Sequence, residues 1–286
     1  MSNHVLQQAV QKSFSAVQYC EGGQFRPTLV VGLGGSGVET ARRVKRILHE
    51  RYQVDNLIRF LFIDTDEAQY IQDGELAKAE QHERAPISVR YPEQLLDELR
   101  RNPKLHPYFE QFWDGSNDVV LLRDASGAAG IRPAGRFAFH ASFDNLFTNY
   151  LEPAIHHIMQ VRERVQAMMK GASQHVEITQ SIPRVYVISS LCGGTGSGIF
   201  MDTAAVIRYI FDRYGLDGEI VGIFYLPTVF RHEAGISPSM WEVIEANGYA
   251  SLMEIERHHR RVMRSEEHTS ELQSQFHLVC RLLLEK

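Results

Sequence analysis

Along most of the chain, short unbroken apolar runs alternate with longer stretches whose apolar residues recur at helical spacing. Residues 28–31 (TLVV) are a β-branched run of the kind buried on both faces of a parallel sheet. A glycine turn follows, and then Val38, Ala41, Val44, Leu48 and Tyr52 mark one face of a helix. Residues 59–63 (RFLFI) are the next strand candidate, ending in Asp64-Thr65-Asp66. Residues 185–190 (VYVISS) and 220–226 (IVGIFYL) read the same way. Between them Ile199, Thr203, Val206, Ile207, Ile210 and Tyr214 share a helix face, with Gly215 as its stop. Residues 1–25 predict a short helix and a Gly-Gly turn. The less regular middle, residues 67–180, predicts helices over 94–101 and 143–169 and a short strand at 119–122. This β-α-β alternation predicts an α/β, Rossmann-like fold. Its sheet is mainly parallel, with helices on both faces, right-handed crossovers and helical insertions. One domain fits better than two.

Composition narrows the class without naming a chemistry. With 286 residues and 44% hydrophobic content the chain can bury a sizeable core. A net charge of -5 offers no electrostatic footprint for nucleic acid or an anionic membrane. No apolar run reaches the roughly 20 residues needed to span a bilayer, and the N-terminus lacks the layout of a secretory signal. Cys20, Cys192 and Cys280 are too scattered for a disulfide framework or zinc site. A cytoplasmic location is the expectation. His156-His157 and His258-His259 are adjacent pairs that point to different helix faces, so no metal site is expected.

The candidate chemistry lies in two glycine loops. Gly32-Leu33-Gly34-Gly35-Ser36-Gly37 fits G-x-G-x-x-G between a strand and a helix. Glycines let backbone approach a phosphate, and the following helix offers free N–H groups and a positive dipole end. A dinucleotide-binding protein uses the same loop, and Asp64 stands where such a site wants a ribose-binding acid. Cys192-Gly193-Gly194-Thr195-Gly196-Ser197-Gly198 is a second anion cradle, with hydroxyls as extra donors. A dinucleotide fold needs only one such loop, and there is no G-x-x-x-x-G-K-[ST]. Cys192 itself reads either as a reactive thiol at a helix N-terminus or as a small packing residue.

The run GGTGSG resembles the phosphate-loop motif of the tubulin/FtsZ superfamily. GLGGSG resembles the first nucleotide loop of FtsZ, and FLFIDTD resembles the FtsZ strand that ends in Asn-Thr-Asp. Residues 127–135 (GAAGIRPAG) are similar to its γ-phosphate-sensing loop. Residues 226–230 (LPTVF), with Glu233 beyond, are similar to the loop that approaches the ribose. The order matches the family's, and the longer spacers resemble divergent prokaryotic tubulin-like proteins. The resemblance implies a GTP/GDP site with Mg²⁺. Gly32, Gly34, Gly35, Ser36 and Gly37 would hold the α- and β-phosphates together with Gly193, Gly194, Thr195, Gly196, Ser197 and Gly198. Ala128, Ala129 and Gly130 would sense the γ-phosphate, while Asp64, Thr65 and Asp66 would lie near the phosphates and the Mg²⁺. Position 64 is Asp where FtsZ usually has Asn, and the arginines typical of FtsZ after Glu233 are missing.

In this family GTP is hydrolysed between head-to-tail subunits, the second of which brings an acidic water-positioning loop. The resemblance covers residues 26–263, after an N-terminal extension at 1–25, and stops before that loop. No catalytic residue is assigned. Residues 264–274 (RSEEHTSELQS) resemble a translated sequencing adapter, so 264–286 is expected to be a non-native tail. The complete protein would be a filament-forming GTPase and this chain its truncated nucleotide-binding domain. Two alternatives remain: an NAD(P)-dependent oxidoreductase, in which GGTGSG would face away from GLGGSG, and a tubulin-like scaffold that does not hydrolyse.

Overall fold

The computed structural model describes residues 26–52, 58–70, 79–89, 91–101, 127–160, 182–232, 235–268 and 281–282. The unbroken apolar runs become strands in a single sheet: β1 (Thr28–Leu33), β2 (Ile58–Asp64), β3 (Arg84–Pro86), β4 (Arg184–Ser190), β5 (Glu219–Tyr225) and a two-residue β6 (Arg281–Leu282). Their order is β3-β2-β1-β4-β5-β6, and every pairing is parallel. From Leu29 to Leu33, β1 is buried without a break, which is why its sequence shows no polar alternation. It lies between β2 and β4, with Gly32 opposite both Phe62 and Ile188.

Helices cover both faces. Helix α1 (Gly34–Tyr52) packs Val38 and Ala41 against Val30, Phe60, Phe62 and Ile188 on one side. On the other, α3 (Arg132–Ala141) and α5 (Thr195–Arg213) bury Phe137, Phe139, Ile199, Ile207 and Phe211 against Leu29, Val31, Leu61 and Val187. Further helices are α2 (Pro92–Arg101), α4 (Phe143–Leu146) and α6 (Pro238–His268), and residues 152–160 are also helical. Helix α4 runs into a π-helical turn at Phe147–Leu151, a widening that the helical spacing of 143–169 did not foretell.

Both long crossover helices start earlier than their apolar periodicity, inside the glycine loops themselves. Helix α5 ends as its sequence predicted. Gly215 takes φ 60°, the Gly215 N–H donates to Asp212 O at 3.2 Å and the Leu216 N–H to Phe211 O at 2.9 Å. That pair of bonds is a Schellman cap. The predicted strand at 119–122 and the N-terminal helix lie outside the described residues.

Strand order reverses at β1: the chain first builds outward through β2 and β3, then returns to place β4 on β1's other side. The crevice beyond the carboxyl ends of β1 and β4 is the topological switch point, where open α/β sheets bind ligands. Both glycine loops leave from it. Gly37 sets how closely α1 can lie on β4, because a Cβ there would collide with Ile188 O and stand 3.2 Å from Ser189 Cα. The variant Gly37→Ala is therefore expected to lose about 1–3 kcal/mol of stability to overpacking. Urea unfolding should show this as a lower midpoint at unchanged slope.

Candidate functional site

Gly34 turns the chain from β1 directly into α1 with φ 66°, a conformation that L side chains rarely adopt. The first turn of α1 therefore presents Gly35, on the surface, and Ser36 with N–H groups that have no intrahelical acceptor. The Thr40 hydroxyl donates to Ser36 O at 2.8 Å and lies 2.7 Å from the Tyr225 hydroxyl, tying that turn to β5.

Beyond β4, Leu191, Cys192, Gly193 and Gly194 lead into α5 at Thr195. The two loops abut. A Cβ on Gly34 would sit 2.9 Å from Gly196 N, and one on Gly196 would sit 2.8 Å from Leu33 O. Residues other than glycine would push the loops apart.

A third segment closes the crevice. Ala128 to Ile131 form a tight turn in which the Ile131 N–H donates to Ala128 O at 2.7 Å, with Ala129 at φ 46° and Gly130 at φ 81°. Positive φ at both central positions is the type I′ signature. The similarity of residues 127–135 to a γ-phosphate-sensing loop implied one loop throughout. Instead the loop ends at Ile131, and Ala134 and Gly135 are buried inside α3. Pro133 in the first turn of α3 has the fixed φ that starts a helix and no N–H to leave unpaired.

These segments meet at the end of β2. The Thr65 hydroxyl accepts the Ala128 N–H at 3.0 Å and lies 2.6 Å from the Thr195 hydroxyl. Asp64 is 4% exposed, and its Oδ1 accepts the N–H groups of Thr65 at 2.7 Å and Asp66 at 3.5 Å. Burial outweighs those bonds and pushes its carboxyl up to about 6.

The result is a cavity of about 260 Å³. Gly34, Gly35 and Ser36 line it from the first loop, and Gly193, Gly194, Thr195 and Gly196 from the second. Asp64, Thr65 and Asp66 stand at the strand end, and Ala128, Ala129 and Gly130 on the turn. Other residues of the expected set are placed elsewhere. Gly32 lies within β1, and Gly37 packs on β4. The Ser197 hydroxyl bonds back to Gly193 O, and Gly198 gives α3 room to pass, since a Cβ there would be 2.5 Å from Arg132 O. Glu233 lies outside the described residues. Ser190, at the end of β4, joins the lining although no motif marks it. Cys192 is a packing residue: burial pushes its thiol up to about 11, and its Sγ rests 3.9 Å from Tyr225 O.

A family model described as "Tubulin like" matches residues 29–280. The chain belongs to the tubulin-like family. Among solved structures, this tubulin-like chain is similar to CetZ1 from Haloferax volcanii, described as a GDP-bound monomer. The two are 14% identical with a TM-score of 0.38, over 78% of this chain and 47% of that one. It is also similar to CetZ2 from Haloferax volcanii, described as a GTPgS-bound protofilament. There the identity is 13% and the TM-score 0.34, over 79% of this chain and 57% of that one. The tubulin-like chain thus spans about half the length of the solved structures it matches. No curated protein matches it.

The buried Asp64 gives the tubulin-like domain a pH signature. Its folded carboxyl titrates near 6, above the ordinary value of 3.8. Between those pH values the folded state holds the proton more tightly than the unfolded chain. Its contribution is therefore largest below about pH 4 and is lost as pH rises through 6, a change on the order of 3 kcal/mol. In metal-free and nucleotide-free protein, Asp64→Asn is expected to remove that decline and to be more stable than the wild type at pH 7. Denaturant midpoints of the two proteins from pH 4 to 7.5 check this. Parallel curves would refute it.

Proposed function

We propose that this chain is the nucleotide-binding part of a filament-forming tubulin-like protein, with GTP or GDP seated in the crevice between its glycine loops. The observation that carries this reading is the convergence of two glycine-rich helix N-termini and a type I′ turn on one cavity at the switch point. Backbone N–H groups of Gly35 and Ser36, and of Gly194 to Gly196, suit the α- and β-phosphates. The Ala128 to Gly130 turn suits the γ-phosphate. The base is guanine by family resemblance. An oxidoreductase reading would need the second loop to face away from the first, and instead they touch.

Mg²⁺ fits the residues present. Two carboxylates, Asp64 and Asp66, line the cavity, and no Lys or Arg among the described residues does. Phosphates brought beside them need a compensating cation. Among the described residues no cluster of three ligating side chains stands ready. The ion would therefore be held by Asp64 or Asp66 together with phosphate oxygens and water, the usual habit of Mg²⁺. It would neutralise charge on the phosphates.

Hydrolysis belongs to the complete protein. Phosphoryl transfer to water needs a group that orients the water, and this reading places that group on the next subunit of a head-to-tail cytoplasmic filament. Residues 26–263 supply the nucleotide site.

Calorimetric titration tests the site. GTP with Mg²⁺ is expected to bind saturably at 1:1, weakly, and to release when EDTA removes the metal, whereas NAD should not bind. Gly193 offers a clean variant, since a Cβ there would meet nothing within 4 Å. Gly193→Val is expected to keep the wild-type melting temperature while weakening GTP binding by about tenfold or more, roughly 1.4 kcal/mol. Retention of NAD, or equal GTP affinity for variant and wild type, would overturn the assignment.

A further inference from the structure

Among the described residues none from helix α6 lines the cavity, yet the helix holds the cavity's walls. Asn247, Ser251 and Glu254 recur at helical spacing along its inner side. The Asn247 amide nitrogen donates to Gly130 O at 2.7 Å and to Cys192 O at 2.9 Å. Its two N–H groups are thus divided between the type I′ turn and the residue before Gly193. The Ser251 hydroxyl donates to Leu191 O at 3.2 Å. The Glu254 carboxylate accepts Arg132 Nη2 at 2.5 Å, and the same guanidinium reaches Ser197 O at 3.1 and 3.3 Å.

Strain in the turn makes the first of these contacts more than docking. Ala129 holds φ 46°, which costs an alanine free energy and persists only where neighbours enforce it. On one side the turn is tied by the Ala128 N–H to Thr65 Oγ1, and on the other by Gly130 O to Asn247. Gly194 would not tolerate a closer approach, because its Cα hydrogen already faces Ala128 O and Ile131 N. Contact between turn and loop sets a lower limit on their separation, and the Asn247 bridge sets the upper one.

We propose that Asn247 is a positioning residue: by donating to Gly130 O and Cys192 O together it fixes the width of the cavity between the Ala128–Ile131 turn and the second glycine loop. The inference rests on reading that cavity as the polyphosphate site. A wider gap would carry one set of N–H donors out of reach of a phosphate chain that the other set still holds.

Asn247→Leu keeps the volume and removes both donors, and Asn247→Asp keeps the shape and removes them as well. Hydrogen exchange on nucleotide-free protein is expected to speed up in peptides covering 128–131 and 191–195, with strands β1, β2 and β5 unchanged. GTP·Mg²⁺ titration is expected to give a Kd about tenfold higher for Asn247→Leu. Tyr249→Ala, on the exposed side of the same helix, alters no contact to the walls and should leave that Kd unchanged. Wild-type exchange and affinity in both Asn247 variants would overturn the inference, as would an equal loss in Tyr249→Ala. Exchange is read without nucleotide. A wild type that fails to bind GTP would therefore refute the site assignment, while the exchange difference still decides whether Asn247 holds the walls.

Discussion

One buried oxygen joins the parts of this site. Thr65 Oγ1, at the end of β2, takes the Ala128 N–H and bonds the Thr195 hydroxyl. It thereby ties a central strand to the strained turn and to the start of α5. The oxygen is shielded from water, with Thr65 1% exposed, so an unmet partner at any of these three groups would be costly. The cavity exists because these segments are held at contact distance, and glycines at the abutting positions allow it.

The same closeness produces the site's electrostatics. Backbone N–H groups collect at one point from two helix N-termini, and a buried carboxyl lies among them. In a polar, solvated setting Asp64 would be an ordinary carboxylate, but here burial holds it near neutrality at mildly acid pH. An anion cradle made from backbone dipoles, with no cationic side chain among its described lining residues, depends on geometry more than on charge. That dependence gives the outer clamp through Asn247 its importance, and it separates this arrangement from sites where a lysine neutralises the phosphates.

Much of the fold was legible along the chain. An unbroken β-branched run such as TLVV can satisfy few environments other than the middle of a parallel sheet, and β1 lies there. Two glycine loops, each after such a run, were legible as anion cradles before any strand order was known. Within the loops the reading reached residue type but not residue role. Gly32 and Gly37 carry the same motif letter as Gly34, yet they pack against the sheet and α1 while Gly34 lines the cavity. That difference follows from which way each Cα hydrogen points once β1 and α1 are in contact.

By itself, then, the sequence determined the α/β alternation, the parallel sheet and the two loops that face the crevice, because apolar periodicity and glycine placement are local properties, and its motifs carried the family resemblance. Tertiary structure decided the rest. It placed the start of α3 at Arg132, left Ser197 and Gly198 out of the cavity, and brought Asn247 to partners 117 and 55 residues away. No local pattern could mark that asparagine. Its meaning comes from α6 docking where two distant backbone carbonyls need one donor group, and only the packed fold creates that need.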